Sequence, residues 1–304
     1  MASFQTVGIV GKRRDPDVVP TLLRLVDTLL ALGRQVEIED HTLGGHVLPE
    51  GVRRRPRAEL VGCDVIIVVG GDGTLLSAGR EFAAAGVPII GVNRGRLGFM
   101  VDVRPEQMPE TLAEIFAGNC TREQRLLLQA KLLRNGNKPA PGPLLAVNDV
   151  VIRNQAAIRM LEFETWLDGE FISQHRADGL IIASPTGSTA YALSGGGPVI
   201  HPGLDAMVLV PICPHTLSDR PIVIGAKQTV RITLRGAPDT VAMFTCDSQT
   251  AATLHAGESF EVCAADFRLN LVHPLNYSYF NILRSKLHWG RGPLSPDEQP
   301  PRDA

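Results

Sequence analysis

The chain has 304 residues, is 44% hydrophobic and carries a formal net charge of −2. That length suits one large domain or two ordinary ones with a sizeable core, and the near-neutral charge gives no bulk attraction to nucleic acid or an anionic membrane. Five scattered cysteines (Cys63, Cys120, Cys213, Cys246, Cys263) with no C-x-x-C pair argue against a disulfide framework or zinc ribbon and fit a reducing cytoplasm. No signal peptide, membrane-spanning run, internal repeat or protein-built metal site is expected, because no apolar run is long enough and no histidines pair as H-x-x-x-H or H-x-H.

Residues 6–10 read as a short strand ending in Gly11-Lys12-Arg13. The Lys12-Arg13-Arg14 cluster lies on the carboxyl edge, where it meets nucleotide phosphates or forms a solvated loop. Val18 to Leu32 has helical apolar spacing and a Gly33 stop, and Gln35 to Glu39 alternates like a strand, which makes a β-α-β unit. Residues 41–57 read as a loop whose Arg53-Arg54-Arg55-Pro56-Arg57 run is mobile and exposed, with a nucleotide-phosphate contact from one arginine left open.

Val65 to Val69 is an uninterrupted β-branched run, the pattern of a strand buried on both faces of a parallel sheet. It ends in Gly70-Gly71-Asp72-Gly73-Thr74, and Leu75 to Ala85 reads as a helix. A strand, a glycine turn and a helix N-terminus suit an anion, and the glycines allow close approach and positive φ. Gly70, Gly71, Gly73 and Thr74 are therefore the candidate phosphate-binding residues. The loop lacks the lysine of a P-loop and the spacing of G-x-G-x-x-G. Its one charge, Asp72, repels phosphate, so it serves a metal ion or takes a hydroxyl proton, unless the segment is an ordinary Asx-type turn. Pro88 to Val92 is another buried strand, followed by Asn93-Arg94-Gly95-Arg96, whose arginines again suit an anion, and Pro105 to Ala117 is helical. Residues 1–121 thus read as a doubly wound, Rossmann-like α/β domain.

Near residue 121 helical periods nearly vanish. Strand-like segments follow at 125–133, 144–153, 159–167, 171–174, 179–183, 207–211, 221–224, 229–234, 241–246, 258–263 and 267–272. Turn signals at Asn135-Gly136-Asn137 and Asp168-Gly169 separate some of them. Residues 122–274 read as a β-rich, sandwich-like domain. Residues 275–290 are expected to pack back on the first domain, and 291–304 to be a disordered tail.

In the second domain Asn148-Asp149 interrupts an apolar run. The pair is either a bulge or turn, or an amide for an adenine edge beside a carboxylate for a ribose diol. The strand 179–183 runs into Ser184-Pro185-Thr186-Gly187-Ser188-Thr189-Ala190-Tyr191, which starts a short helix near Ser188. The hydroxyls there cap the helix or bind ribose and phosphate, and Tyr191 can stack on a ring. A serine nucleophile is disfavoured, since Gly-x-Ser-x-Gly is absent and no histidine is close in sequence.

GGDGT alone resembles the signature shared by NAD kinases, diacylglycerol kinases and phosphofructokinases. Together with Asn148-Asp149, DGLIIASPTGSTAYALSGGGPVIHP, Cys246-Asp247-Ser248-Gln249 and Tyr277-Ser278-Tyr279-Phe280-Asn281, with Leu287 and Trp289, it resembles the bacterial NAD kinase family over roughly residues 4–290. The resemblance implies an α/β domain followed by a β-sandwich-like one. It implies an enzyme that moves the γ-phosphoryl of ATP to the 2′-hydroxyl of the adenosine ribose of NAD, giving NADP. Asp72 would be the catalytic residue, acting as general base, with Gly73 beside the substrate. Asn148 and Asp149 would hold NAD, with further contacts from Arg159, Arg176, Asp178, Thr189, Ala190, Tyr191, Ala192, Leu193, Ser194 and Gln249. Some members carry Lys or Gly at the position of Arg176, which leaves the preference between NAD and NADH open. A divalent cation, Mg²⁺, would arrive with ATP, and the protein would be a cytoplasmic homo-oligomer, a dimer or tetramer, with no nucleic-acid or membrane partner. The competing readings are a lipid or sugar kinase sharing GGDGT, which leaves the 178–202 block unexplained, and a non-catalytic NAD(H) sensor, which gives Asp72 no purpose.

Overall fold

The computed structural model describes residues 4–12, 15–44, 46–94, 98–134, 138–139, 144–154, 160–216 and 218–289. The chain divides into two compact units, one of residues 1–75, 90–122 and 272–304, the other of 76–89 and 123–271.

In chain order β1 (Thr6–Gly11), α1 (Val19–Ala31), β2 (Gln35–Glu39), β3 (Val52–Arg55), β4 (Val65–Gly70), α2 (Asp72–Phe82), β5 (Ile89–Asn93) and α3 (Met108–Phe116) alternate; all belong to the first unit except residues 76–82 of α2 and Ile89, which belong to the second. The sheet order is β5-β4-β1-β2-β3, and β1 pairs in parallel with β2 and β4, as β2 does with β3. Every residue of β4 is buried. Val65, Ile67 and Val69 join Val7, Ile9 and Ile38 with the inner faces of α1 (Leu22, Leu25, Leu29) and α3 (Leu112, Ile115) in one core; Ile66 and Val68, on the opposite face, are buried too, which explains the unbroken β-branched run. Strand order reverses between β1 and β4, the switch point at which open α/β sheets take ligands at the carboxyl ends of their strands. The two segments leaving that edge are joined where the Lys12 N–H donates to the Val69 carbonyl at 3.1 Å.

The expected loop at 41–57 contains a strand. β3 pairs in parallel with β2, and Arg54 and Arg55 within it, with Arg57 just beyond, have partners, while Arg53 is exposed. Arg55 pairs with Glu37 at 3.5 Å and Glu59 at 3.4 Å, Arg57 with the buried Glu39 at 3.7 Å, and Arg54 donates to the His46 carbonyl at 2.7 Å. The acidic strand β2 recruits a basic edge strand, and charge on an edge also discourages pairing with other chains.

The second unit is antiparallel. It contains β6 (Cys120–Arg134), β7 (Lys138–Pro139), β8 (Leu144–Ala146), β9 (Asp149–Asn154), β10 (Leu161–Leu167), β11 (Glu170–Ala177), β12 (Gly179–Ala183), α4 (Tyr191–Ser194), β13 (Ala206–Ile212), β14 (Ile222–Gly225), β15 (Val230–Arg235), β16 (Val241–Cys246), β17 (Thr250–His255) and β18 (Ser259–Pro274). One sheet runs β11-β10-β15-β18, with β6 also on β18 and on β7 and β8; the other runs β14-β13-β12-β9-β16-β17. Their inner faces share a core in which Phe163, Ile232 and Phe260 of the first sheet meet Ile152, Ile182 and Phe244 of the second, with the Phe244 and Phe260 rings 4.8 Å apart edge to face. The outer face of β12 is covered too: Ile181 and Ala183 pack with Ala192 of α4 and with Ile200. Asp168 and Gly169 both take positive φ, 50° and 86°, between β10 and β11, as the hairpin dipeptide requires.

Three strand expectations change. β17 was not anticipated. The expected strands 258–263 and 267–272 form one continuous β18, bridged by Ala264, Ala265 and Asp266. The expected strand 144–153 is two strands, with Val147 and Asn148 between them. The turn at 135–137 and the tail from residue 290 lie outside the described residues. The last helix, α5 (Tyr279–Leu287), is capped by Ser278, whose hydroxyl accepts the Asn281 N–H at 3.3 Å. No helix among the described residues is long and apolar enough to cross a membrane.

Candidate functional site

In the first unit the glycine turn differs from expectation in two ways. The helix begins at Asp72 rather than Leu75 and ends at Phe82, followed by a 3-10 turn over 83–85, so the carboxylate belongs to the first helical turn. None of Gly70, Gly71 and Gly73 takes positive φ. Space explains these glycines instead. A Cβ on Gly70 would stand 2.6 Å from the Thr74 hydroxyl, whereas Gly71 and Gly73 face open space that a bulky ligand group can enter. The first helical N–H groups lack intrahelical partners and favour an anion there.

The Asp72 carboxylate is held by backbone. Its Oδ2 accepts the Phe99 N–H at 3.0 Å and its Oδ1 the Met100 N–H at 3.1 Å. Gly98 packs so closely that a Cβ there would lie 2.4 Å from Oδ1. One lone pair on each oxygen is thereby occupied and the other left for a donor. The segment after β5 thus serves Asp72; of its two arginines, Arg94 is paired with Asp15 and, at 2.6 Å, with Asp17, and Arg96 lies outside the described residues. Lys12 is paired with Asp15 at 3.1 Å, and Arg13 and Arg14 are outside the described residues.

In the second unit Asn148 is half-buried and Asp149, 3% exposed, opens β9. The turn they form is fastened from two sides. The Asn148 carbonyl accepts the Ser184 N–H at 2.8 Å, and the Ser184 hydroxyl donates to the Val147 carbonyl at 2.5 Å. From the end of β16 the Asp247 carboxylate accepts the N–H groups of Val147, Asn148 and Asp149 at 3.0, 2.7 and 3.3 Å. Arg80, in the last turn of α2, donates to Asp247 at 2.5 Å and to the Gln249 side chain at 2.6 Å. One oxygen of Asp149 is buried without a hydrogen-bond partner. Burial first, and the neighbouring Asp247 charge second, push its carboxyl up to about 7. A buried acceptor without a donor is what a ligand hydroxyl would satisfy.

The hydroxyls of 184–189 are mainly structural. Ser184 and Ser188 are fully buried; Ser188 donates to the Pro185 carbonyl at 2.6 Å and accepts the Ile200 N–H at 2.9 Å, and Thr189 donates to the Thr186 carbonyl at 3.1 Å. Tyr191 is 39% exposed and free to lie along a ring, Ser194 is exposed, and Ala190 and Leu193 are half-buried. The Ala192 methyl is in the core, so only its backbone can face a ligand. Arg176 and Asp178 are exposed and stand apart, where β11 passes into β12. Arg176 pairs with Glu162 at 3.2 Å. Asp149 pairs with Ala183 at one end of the β9–β12 ladder, and Arg153 with Gly179 at the other, roughly 13 Å along the strands. Arg159 lies outside the described residues.

In the second unit the structure gathers Asn148, Asp149 and Gln249 into one network with Arg80, Asp247 and Gly187; in the first, Asp72 gains Gly98 and the Phe99 and Met100 amides. Asp247, inside the Cys246-Asp247-Ser248-Gln249 block, and Gly187, inside the 178–202 block, carried a sequence signal; Arg80 did not. Among the described residues no cluster of three or more His, Cys, Asp or Glu could hold a metal ion.

A parallel α/β sheet with an acidic glycine turn at its switch point, joined to a sandwich presenting an Asn-Asp turn, defines a two-domain phosphotransferase class. The chain belongs to the ATP-NAD kinase family: the model of that family's N-terminal domain matches residues 7–120 and that of its C-terminal domain residues 147–274. NAD kinases of Teredinibacter turnerae and Chromohalobacter salexigens are 44% and 45% identical to it over 292 residues, covering 95% of this chain and 98% of each relative. Among solved structures, an NAD kinase from Archaeoglobus fulgidus in complex with ATP superposes with a TM-score of 0.73 at 25% identity, over 93% of this chain and 98% of that one. Yeast NADH kinase complexed with NADH shares the fold, with a TM-score of 0.86 at 21% identity over 95% of this chain and 89% of that one.

Proposed function

We propose that the chain transfers the γ-phosphoryl of ATP to the 2′-hydroxyl of the adenosine ribose of NAD, with Asp72 taking the hydroxyl proton as the oxygen attacks in line. The observation that carries this reading is the Asp72 carboxylate, fixed by two backbone N–H groups on the first turn of α2 beside Gly71 and Gly73, which leave room for phosphate. An ordinary carboxylate is a weak base, so positioning supplies much of the acceleration. Asn148 and Asp149 hold the adenine edge and ribose, Tyr191 lies along a ring, and Gln249, Arg176, Asp178, Arg159 and the 189–194 segment complete the NAD contacts. Mg²⁺ enters as part of the ATP substrate and neutralises phosphate charge; it is not assigned a protein-built site. The protein is read as a cytoplasmic homo-oligomer, which light scattering on the purified chain checks. The activity is tested by incubating the protein with ATP, Mg²⁺ and NAD and reading NADP through an NADP-specific dehydrogenase. Steady NADP formation is expected; folded protein that binds NAD and makes none contradicts the reading.

Two expectations follow from the geometry. Gly98→Ala should leave the fold intact, because its new methyl meets the end of a side chain, but it pushes Asp72 aside. Misplacing a reacting group by about 1 Å costs about a hundredfold, so kcat should fall by that order with an unchanged melting temperature. An unchanged kcat would remove the close fit from the mechanism.

The second concerns pH. With the Asp149 carboxyl at about 7 in the folded protein and near 4 in the unfolded chain, the folded state holds the extra proton between those values. Stability therefore falls as pH rises from about 4 to about 7, by on the order of 4 kcal/mol. Asp149→Asn should raise the melting temperature at pH 8 and leave it nearly unchanged at pH 4, while weakening NAD binding. Ribose hydroxyls donate to the ionised form, so NAD affinity of the unmodified protein should rise with pH through about 7. A flat affinity profile would count against this placement of the ribose.

A further inference from the structure

We infer that Asp247, bridged to Arg80, is a positioning residue that holds the Asn148–Asp149 turn in its NAD-binding shape. The inference rests on the reading that Asn148 and Asp149 hold NAD. The Asp247 side chain is wholly buried. Its Oδ1 receives the N–H groups of Asn148 at 2.7 Å and Asp149 at 3.3 Å, and its Oδ2 that of Val147 at 3.0 Å. Three successive backbone donors aimed at one point form an anion-binding concavity, and here the anion is the chain's own side chain. The Asp247 N–H donates back to the Asp149 carbonyl at 2.9 Å, so the two segments are bonded in both directions. Asp247 and Ser248 take φ of 49° and 57°, a region that residues with a Cβ avoid unless the surroundings impose it. The two left-handed residues fold the chain back between Cys246 of β16 and Gln249.

Arg80 completes the device. One guanidinium nitrogen donates to Asp247 at 2.5 Å and another to the Gln249 side chain at 2.6 Å. A single arginine therefore sets both the carboxylate that shapes the Asn148–Asp149 turn and a second side chain proposed to touch NAD. Neither Asp247 nor Arg80 needs to touch substrate for this role. The fork geometry is specific to arginine, which offers two donors in one plane.

The charge that bears directly on the Asp149 carboxyl is Asp247 at the end of β16; Cys246 lies beside both, and Arg80 of α2 meets Asp247. The Cys246 thiol is pushed up to about 12 by burial first and then by Asp247, so it stays neutral. Two opposite charges thus remain, and they give a signature that a purely structural role does not. Removing the Asp247 charge must ease ionisation of Asp149, and removing the Arg80 charge must hinder it.

The test titrates NAD into the full-length protein by calorimetry across pH 5 to 9, beside steady-state kinetics and melting curves, for wild type, Asp247→Asn and Arg80→Gln. Asp247→Asn keeps the side-chain size but turns a donor toward backbone donors. Losing one orienting bond to a charged group is worth about tenfold, so NAD affinity on the alkaline plateau should fall by about that factor. The pH midpoint of NAD binding should move below that of wild type. Arg80→Gln keeps a donor for Asp247 and should move the midpoint up. Unchanged plateau affinity in a folded Asp247→Asn, or midpoints that stay in place, would overturn the inference. If Asp247→Asn does not fold, the direction of the Arg80→Gln midpoint decides alone. A wild-type protein that does not bind NAD removes the reading of Asn148 and Asp149 and the inference with it, whereas NAD binding indifferent to both variants removes only the inference.

Discussion

Asp72→Asn is expected to lower kcat by about 10²–10⁴-fold, the contribution of a positioned proton acceptor, while the fold and most NAD affinity persist. The side chain keeps its size, so Gly98 still packs against it. One oxygen remains to accept the N–H of Phe99 or Met100, which now donate at 3.0 and 3.1 Å. The new amide nitrogen faces the other donor, so stability should fall by about 1 kcal/mol. No residue proposed to hold the adenine or the dinucleotide phosphates is altered. A loss confined to kcat, with NAD affinity measured separately by calorimetry, is the signature of an interaction made in the transition state. Turnover within tenfold of wild type would take Asp72 out of the chemistry and leave it as a backbone anchor for the segment after β5.

The second large effect is expected from Gly187→Ala. A Cβ there would stand 2.0 Å from the Asn148 carbonyl oxygen and 2.5 Å from its carbon. Both atoms are backbone, so the clash cannot be relieved by rotating a side chain. Nor can the carbonyl retreat freely, since the Ser184 N–H holds it at 2.8 Å while the Ser184 hydroxyl holds the Gly187 N–H at 3.2 Å. Overpacking of this kind destabilises by about 1–3 kcal/mol. The greater effect should be on NAD: displacing Asn148 by about 1 Å costs about a hundredfold, read as a rise in KM and in the calorimetric Kd. Gly62→Ala is the control, because its Cβ would meet nothing within 4 Å and its backbone is not left-handed. Equal NAD affinity in the two variants would show that the Gly187–Asn148 contact is not what shapes the turn.

Much of the frame is legible from residue types alone. The unbroken run Val65–Val69 announces a strand covered on both faces, and every residue of β4 is buried, the Val65, Ile67 and Val69 face against α1 and α3. The change of texture near residue 121 marks the passage from parallel to antiparallel sheets because alternation and turn dipeptides are local signals, as Asp168-Gly169 illustrates. What is not legible is set at long range. β3 reads as a basic loop until β2 is placed beside it, since the parallel ladder to β2, with Arg55 against Glu37, rather than its own propensity makes it a strand. β17, Thr250–His255, lacks apolar alternation and is held by its ladder to β16. Asp72 and the glycines are visible as a motif, but the reason for Gly98 appears only when it is seen against a carboxylate 26 positions earlier. The Arg80–Asp247 bridge joins residues 167 apart in sequence, and an arginine late in a helix followed far away by an Asp-Ser pair carries no local sign of the other.

The most direct test of the central claim follows the terminal phosphate of ATP. The protein is given ATP labelled in the γ-phosphoryl together with Mg²⁺ and NAD, and the product is examined by phosphorus NMR and mass spectrometry. The account predicts one label per NADP, in a monoester on the 2′-oxygen of the adenosine ribose, at a rate that collapses in Asp72→Asn. Label that goes only to inorganic phosphate, or to a different hydroxyl of NAD, would contradict it.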